Sequence, residues 1–106
     1  MEVVRWDDEH DGQPTEAALE RVLKGRGYTV SRHVYPPGTR FPEHTHYVDK
    51  IDAVVSGRFR MTAEGREVVL GPGDYLSVPA GTVHTAEVVG EEPVVSLDAV
   101  RSREAT

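Results

Sequence analysis

The amino-acid sequence predicts an all-β barrel or sandwich with one short helix near its N-terminus. Three observations carry this expectation. Short runs rich in Val, Thr and aromatic residues recur from Tyr28 to Val100. Clusters such as Pro36-Pro37-Gly38, Gly71-Pro72-Gly73 and Pro79-Ala80-Gly81 separate those runs. Apolar residues at helical spacing occur in one stretch, residues 16 to 25. Short strands punctuated by turn residues point to a barrel or sandwich rather than to βαβ units.

A chain of 106 residues is one domain with room for a single core. Its 38% hydrophobic and 28% charged residues are ordinary for a globular protein. The net charge of −6 argues against non-specific nucleic-acid binding. No apolar run approaches the ~20 residues needed to span a membrane as a helix. The acidic start, Met1 to Asp8, lacks the apolar core of a secretory signal. With no cysteine, disulfides and thiolate ligands are excluded. A cytoplasmic protein with no membrane partner is the expectation.

Each element has its own warrant. Residues 1 to 27 form an N-terminal segment. Trp6, the one tryptophan, is expected at a core edge or a dimer surface, and His10 lies in an acidic, solvated run. Thr15 reads as an N-cap with Glu16 in the first turn. Ala18, Leu19, Val22 and Leu23 make one apolar helix face, and Gly25 and Gly27 end it. Strands follow from Tyr28 to Tyr35, around His44 to His46, from Ile51 to Ser56 and from Arg58 to Thr62. Glu64-Gly65 turns the chain into Arg66 to Leu70. Tyr75 to Val78, Val83 to Val89 and Val94 to Val100 complete a barrel spanning residues 28 to 100. Residues 101 to 106 are a polar, frayed tail. Val54, Leu76, Val78, Val95 and Leu97 are core candidates, whereas Phe41, Tyr47 and Tyr75 could narrow the mouth of a cup, with core packing the simpler account for Tyr75.

The chemistry concentrates in histidines. His44 and His46 stand at i, i+2, so on a strand both point to one face. His84 brings a third imidazole from another strand. One barrel histidine is usually a packing residue. Three arriving together are the start of a metal site. The candidates are the divalent ions Zn, Fe, Ni, Cu and Mn, and the ligand type does not choose among them.

At these residues the chain resembles the cupin superfamily, of the small single-domain kind. Gly38, His44, His46 and Gly57 fall on the first cupin motif, and Gly73, Pro79, Gly81 and His84 on the second. The resemblance implies a double-stranded β-helix, or jelly roll, with a metal held by His44, His46 and His84. It implies a small-molecule ligand or substrate and, as a class, a dioxygenase-like oxidoreductase or an isomerase. The alternative it leaves open is a non-catalytic binding cupin with little metal. Single-domain cupins commonly form homodimers, and a strand at Val3 to Trp6 could add to a partner's sheet.

One departure matters. The position where metal-binding cupins usually carry a glutamate ligand is Lys50. Asp49 has the wrong strand parity to replace it, and Asp52 has the right parity but stands roughly 6.6 Å further along. At ~5 Å and an effective dielectric near 20, a lysine ammonium and a dication repel by roughly 6 to 7 kcal/mol. Lys50 must therefore turn away, pair with Asp49 or Asp52, lose its proton or displace the ion. Lys50, Asp52 and Tyr35 are candidate acid–base or ligand-contacting groups. His33 either lines the cup or sits outside it.

Overall fold

The computed structural model describes residues 1–101. Strand β1 (Glu2–Val4) leads into helices α1 (Asp8–Asp11) and α2 (Glu16–Gly25). Eight strands follow: β2 (Thr29–Tyr35), β3 (Arg40–His44), β4 (Asp49–Ser56), β5 (Arg58–Ala63), β6 (Arg66–Leu70), β7 (Tyr75–Val78), β8 (His84–Val89) and β9 (Val94–Arg101). They build two sheets, a five-stranded one ordered β1-β7-β4-β9-β2 and a four-stranded one ordered β3-β8-β5-β6. The pairings described are all antiparallel.

The period-2 alternation of β4 and β9 sorts their side chains into two cores. Val54 and Val94 face between the sheets, where they meet Phe59, Met61, Leu70, Leu76, Val78, Ala86 and Val88. Ile51, Ala53, Leu97 and Ala99 face outward onto Leu19 and Leu23 of α2, with Tyr28 and Tyr75. The helix thus seals the outer face of the five-stranded sheet. Thr15 caps it by accepting a hydrogen bond from the Ala18 N–H. Sealing that face makes the even positions of β4 and β9 line the interior, and Lys50, Asp52 and Asp98 stand among them.

Several expectations are corrected. Two helices are present among the described residues rather than one. Helix α1 has no apolar face for a periodicity to reveal; Asp7 caps it through the Glu9 N–H. Strand β1 pairs with β7 and forms an edge of the five-stranded sheet. Trp6 does sit at a core edge, half-buried against the outer core, and its Nε1 donates to the Gly12 carbonyl at 2.8 Å. Val95 is only half-buried, whereas Tyr75 takes the core place, the simpler expectation for it, under α2. Tyr47 is 98% exposed. Arg101 still belongs to β9, and the rest of the expected tail, residues 102 to 106, lies outside the described residues.

Gly73 needs its lack of a side chain for a close approach. It stands at φ +91°, and a Cβ there would run into the Trp6 side chain. Asp74 fixes the same crossing, since its carboxylate accepts from the Trp6 N–H, the Gly71 N–H and the Arg5 guanidinium.

Candidate metal centre

Strand β3 carries a one-residue irregularity. Phe41 pairs with Ala86 and His44 with His84, so β3 spends one residue more than β8 between the two pairs. Pro42, which has no N–H for the ladder, lies within that bulge. The bulge brings His44 directly opposite His84, with ring centroids 4.1 Å apart.

His46 lies two residues beyond the end of β3, in the connection to β4, not on a strand. Its carbonyl accepts the Gly81 N–H at 2.9 Å, which ties this connection to the turn just before His84. Asp49 reinforces the tie by accepting the Ala80 N–H at 2.9 Å. The histidine pair and the third histidine are therefore held by one stitched pair of loops. The His46 ring centroid is 4.9 Å from that of His44 and 5.2 Å from that of His84.

One ligand atom from each imidazole lies within 4.8 Å of the others. The ring tautomers suit coordination. His44 Nδ1 donates to the Pro42 carbonyl at 2.7 Å, and His84 Nδ1 donates to the Thr82 carbonyl at 2.9 Å. Each Nε2 is left with its lone pair directed away from the backbone, the arrangement metal-ligating histidines generally show. Among the described residues, His46 Nε2 is buried with no hydrogen-bond partner. An orphaned buried nitrogen beside two oriented imidazoles is a donor set that fits a transition ion.

The electrostatics favour neutral imidazoles. Burial, assisted by Lys50 and the neighbouring histidines, pushes His46 down to about 4. Burial also lowers His84, with the Thr82 carbonyl opposing. Neutral rings are the metal-binding form.

The histidines open into a cup of about 300 Å3 between the sheets. Phe41, Phe59, Met61 and Ala86 form its apolar wall, and Tyr35, Lys50, Asp52 and Asp98 its polar one. A larger hollow of about 410 Å3 runs outside, past Glu64 and Glu67, and touches the cluster only at His84. The inner cup is lined by all three histidines, which makes it the candidate site.

Lys50 and Asp52 both enter the cup, as their shared parity requires. Lys50 pairs with Asp52 at 3.6 Å. Asp49 faces the other way, near Arg101 at 3.7 Å. Tyr35 lines the cup and donates to Asp98 Oδ2 at 2.7 Å. Burial and that hydrogen bond raise the Tyr35 phenol well above its usual range. His33 stays outside: its side chain is 46% exposed, and its ring stacks behind Tyr35 with centroids 5.9 Å apart. Asp98 was not foreseen as a cup residue. Its signal was the polar pair Ser96 and Asp98 at alternate positions of an otherwise apolar strand.

A two-sheet antiparallel barrel with three converging histidines defines the class, and the sequence matches it. The Cupin domain model covers residues 31–100, so the chain belongs to the cupin family. Quercetin 2,3-dioxygenase of Bacillus subtilis (strain 168) is 41% identical over 83 residues, 73% of this chain and 25% of that protein. The chain spans less than two thirds of the length of the curated relatives it matches first. Among solved structures, KdgF from Halomonas sp. shares 27% identity at a TM-score of 0.62, covering 72% of this chain and 71% of that one. The DMSP lyase DddQ of Ruegeria pomeroyi DSS-3 shares 28% at 0.64, covering 74% and 40%.

Proposed function

We propose that this cupin binds one divalent transition metal through His44, His46 and His84 and acts on a small molecule held in the cup beside it. The observation that carries the reading is the orphaned His46 Nε2 beside two imidazoles whose tautomers are already set by backbone carbonyls. A bound ion would supply Lewis acidity and, if redox-active, dioxygen chemistry at its open positions. The likeness to a quercetin 2,3-dioxygenase supports oxidation by dioxygen ahead of isomerisation. The substrate is small, since about 300 Å3 is the low end of ligand-pocket volumes.

The chain's own residues divide the work. Phe41, Phe59 and Met61 exclude water and pack the apolar part of the ligand. Asp52 and Asp98 receive its hydrogen-bond donors. Lys50 neutralises Asp52. Because its charge already has this partner, Lys50 gives little support to a metal-free cup built for an anion. A double-stranded β-helix connectivity, a homodimer and a cytoplasmic location belong to the same reading.

Elemental analysis of untagged protein tests it, beside His84→Ala. About one equivalent of Fe, Ni, Cu, Zn or Mn in the wild type, lost in the variant, is the expected result. Oxygen uptake with small enols and catechols then separates oxidation from isomerisation. Wild-type protein that holds no metal after reconstitution overturns the reading in favour of a binding module.

A further inference from the structure

Asp52 and Asp98 are register partners across β4 and β9, and both line the cup. Two carboxylates facing each other in a buried site cannot be equivalent unless their surroundings are. Here the surroundings differ. Both oxygens of Asp98 are occupied: Oδ2 accepts the Tyr35 hydroxyl at 2.7 Å and Oδ1 accepts the Ser96 hydroxyl at 2.6 Å. Two hydroxyl donors hold the Asp98 carboxylate in a fixed pose. Asp52 is 5% exposed, and among the described residues its one ion-pair partner is Lys50, at a loose 3.6 Å.

We propose that Asp52 is the proton acceptor of the cup, while Asp98, locked by Tyr35 and Ser96, orients the ligand without exchanging protons. The assignment rests on the metal-centre reading above and names the ligand class of that site: a small molecule with a hydroxyl acidic enough to give its proton to a carboxylate. The ligand's O–H bond breaks, the proton passes to an Asp52 carboxylate oxygen, and the electron pair stays on the ligand oxygen. Asp52 goes from anion to neutral acid, and nothing is oxidised.

The other groups facing this position fit poorly as acceptors. Tyr35 carries its proton in a hydrogen bond to Asp98, and its phenol is raised. His44 and His84 direct Nδ1–H at backbone carbonyls, and with His46 they form the candidate ligand set. Lys50 offers donors to Asp52. Burial pushes Asp52 up to about 6, with Lys50 opposing and Asp98 adding to the rise. That range suits a general base working near neutrality.

The probe is 4-nitrocatechol, added to protein reconstituted with Zn2+. Visible absorption reads its deprotonation, and infrared difference spectra read the C=O stretch of a newly protonated carboxyl. The wild type should show both, and Asp98→Asn should keep the carboxyl band. Asp52→Asn should lose the band, keep its Zn2+ and bind the probe about tenfold more weakly, as expected when a base of matched pKa is removed. A band that survives in Asp52→Asn, or that vanishes only in Asp98→Asn, overturns the assignment. So does a deprotonated bound probe with no carboxyl band. If Asp52→Asn does not fold, Lys50→Met serves instead, because losing the opposing charge must move the band's pH midpoint upward. An unmoved midpoint overturns the proposal. Failure of the wild type to take up Zn2+ is visible before any probe is added; it overturns the metal-centre reading and this assignment with it.

Discussion

Lys50 Nζ lies 3.6 Å from Asp52 Oδ1, on the same inward face of β4, with side chains only 14% and 7% exposed. This pair answers how a lysine stands where metal-binding cupins usually place a carboxylate. Its charge is compensated inside the cup by the next residue of matching parity. Compensation is incomplete, because 3.6 Å is long for an ion pair. Lys50→Met should therefore raise metal affinity by roughly tenfold or more, the direction Coulomb's law requires. Chelator competition with Zn2+ measures it, and an unchanged or weaker affinity would contradict this account.

The stability of metal-stripped protein should rise with pH between about 4 and 6.5. His46 is lowered to about 4 in the fold against 6.5 unfolded. The unfolded chain thus binds more protons in that window, and the His46 contribution is complete above 6.5 and lost as pH falls toward 4. His84 is lowered too and acts in the same direction. Asp52 opposes them: raised from 3.8 to about 6, it contributes stability at low pH that is lost as pH rises through 6. Urea titrations across this range should show a steeper rise in Asp52→Asn than in the wild type. A shallower rise in the variant would reverse the assignment of signs.

Gly57→Ala should cost about 3 kcal/mol, combining overpacking with a left-handed backbone. Gly57 stands at φ +85°, and a Cβ there would press into the Pro93 carbonyl oxygen and the Val94 Cα, which are backbone atoms that cannot swing aside. Urea midpoints measure the loss. The metal content of the folded fraction should not change, since this turn lies away from the histidines.

Asp74→Ala should loosen the N-terminal strand before anything else. It removes an acceptor shared by the Arg5 guanidinium and the Trp6 and Gly71 N–H groups. The expected cost is about 2 to 3 kcal/mol. Hydrogen exchange should quicken first at residues 2 to 6, and uniform quickening across both sheets would argue against a local clamp.

What local pattern encodes was readable residue by residue. The apolar spacing and the Thr15 cap place α2 at Glu16–Gly25, and the Gly/Pro turns bound β6 and β7 at their observed limits. Strand parity alone puts Lys50 and Asp52 on one face and Asp49 on the other. The motif spacing of His44, His46 and His84 names the candidate ligands. Those features depend on the backbone period and on near neighbours, so they survive in one dimension.

Tertiary structure decided the rest, because it depends on register between distant strands. The bulge at Pro42 sets His44 against His84, and the Gly81–His46 backbone bond brings in a histidine that lies beyond its strand. Asp98 becomes a cup residue only because β9 lies beside β4 with Asp98 opposite Asp52, while α2 covers the other face of both strands. Lys50 had four open fates in the sequence. The structure shows its ion pair with Asp52 on the buried inward face of β4, where a charge without a partner would cost far more than one with a neighbour of opposite sign.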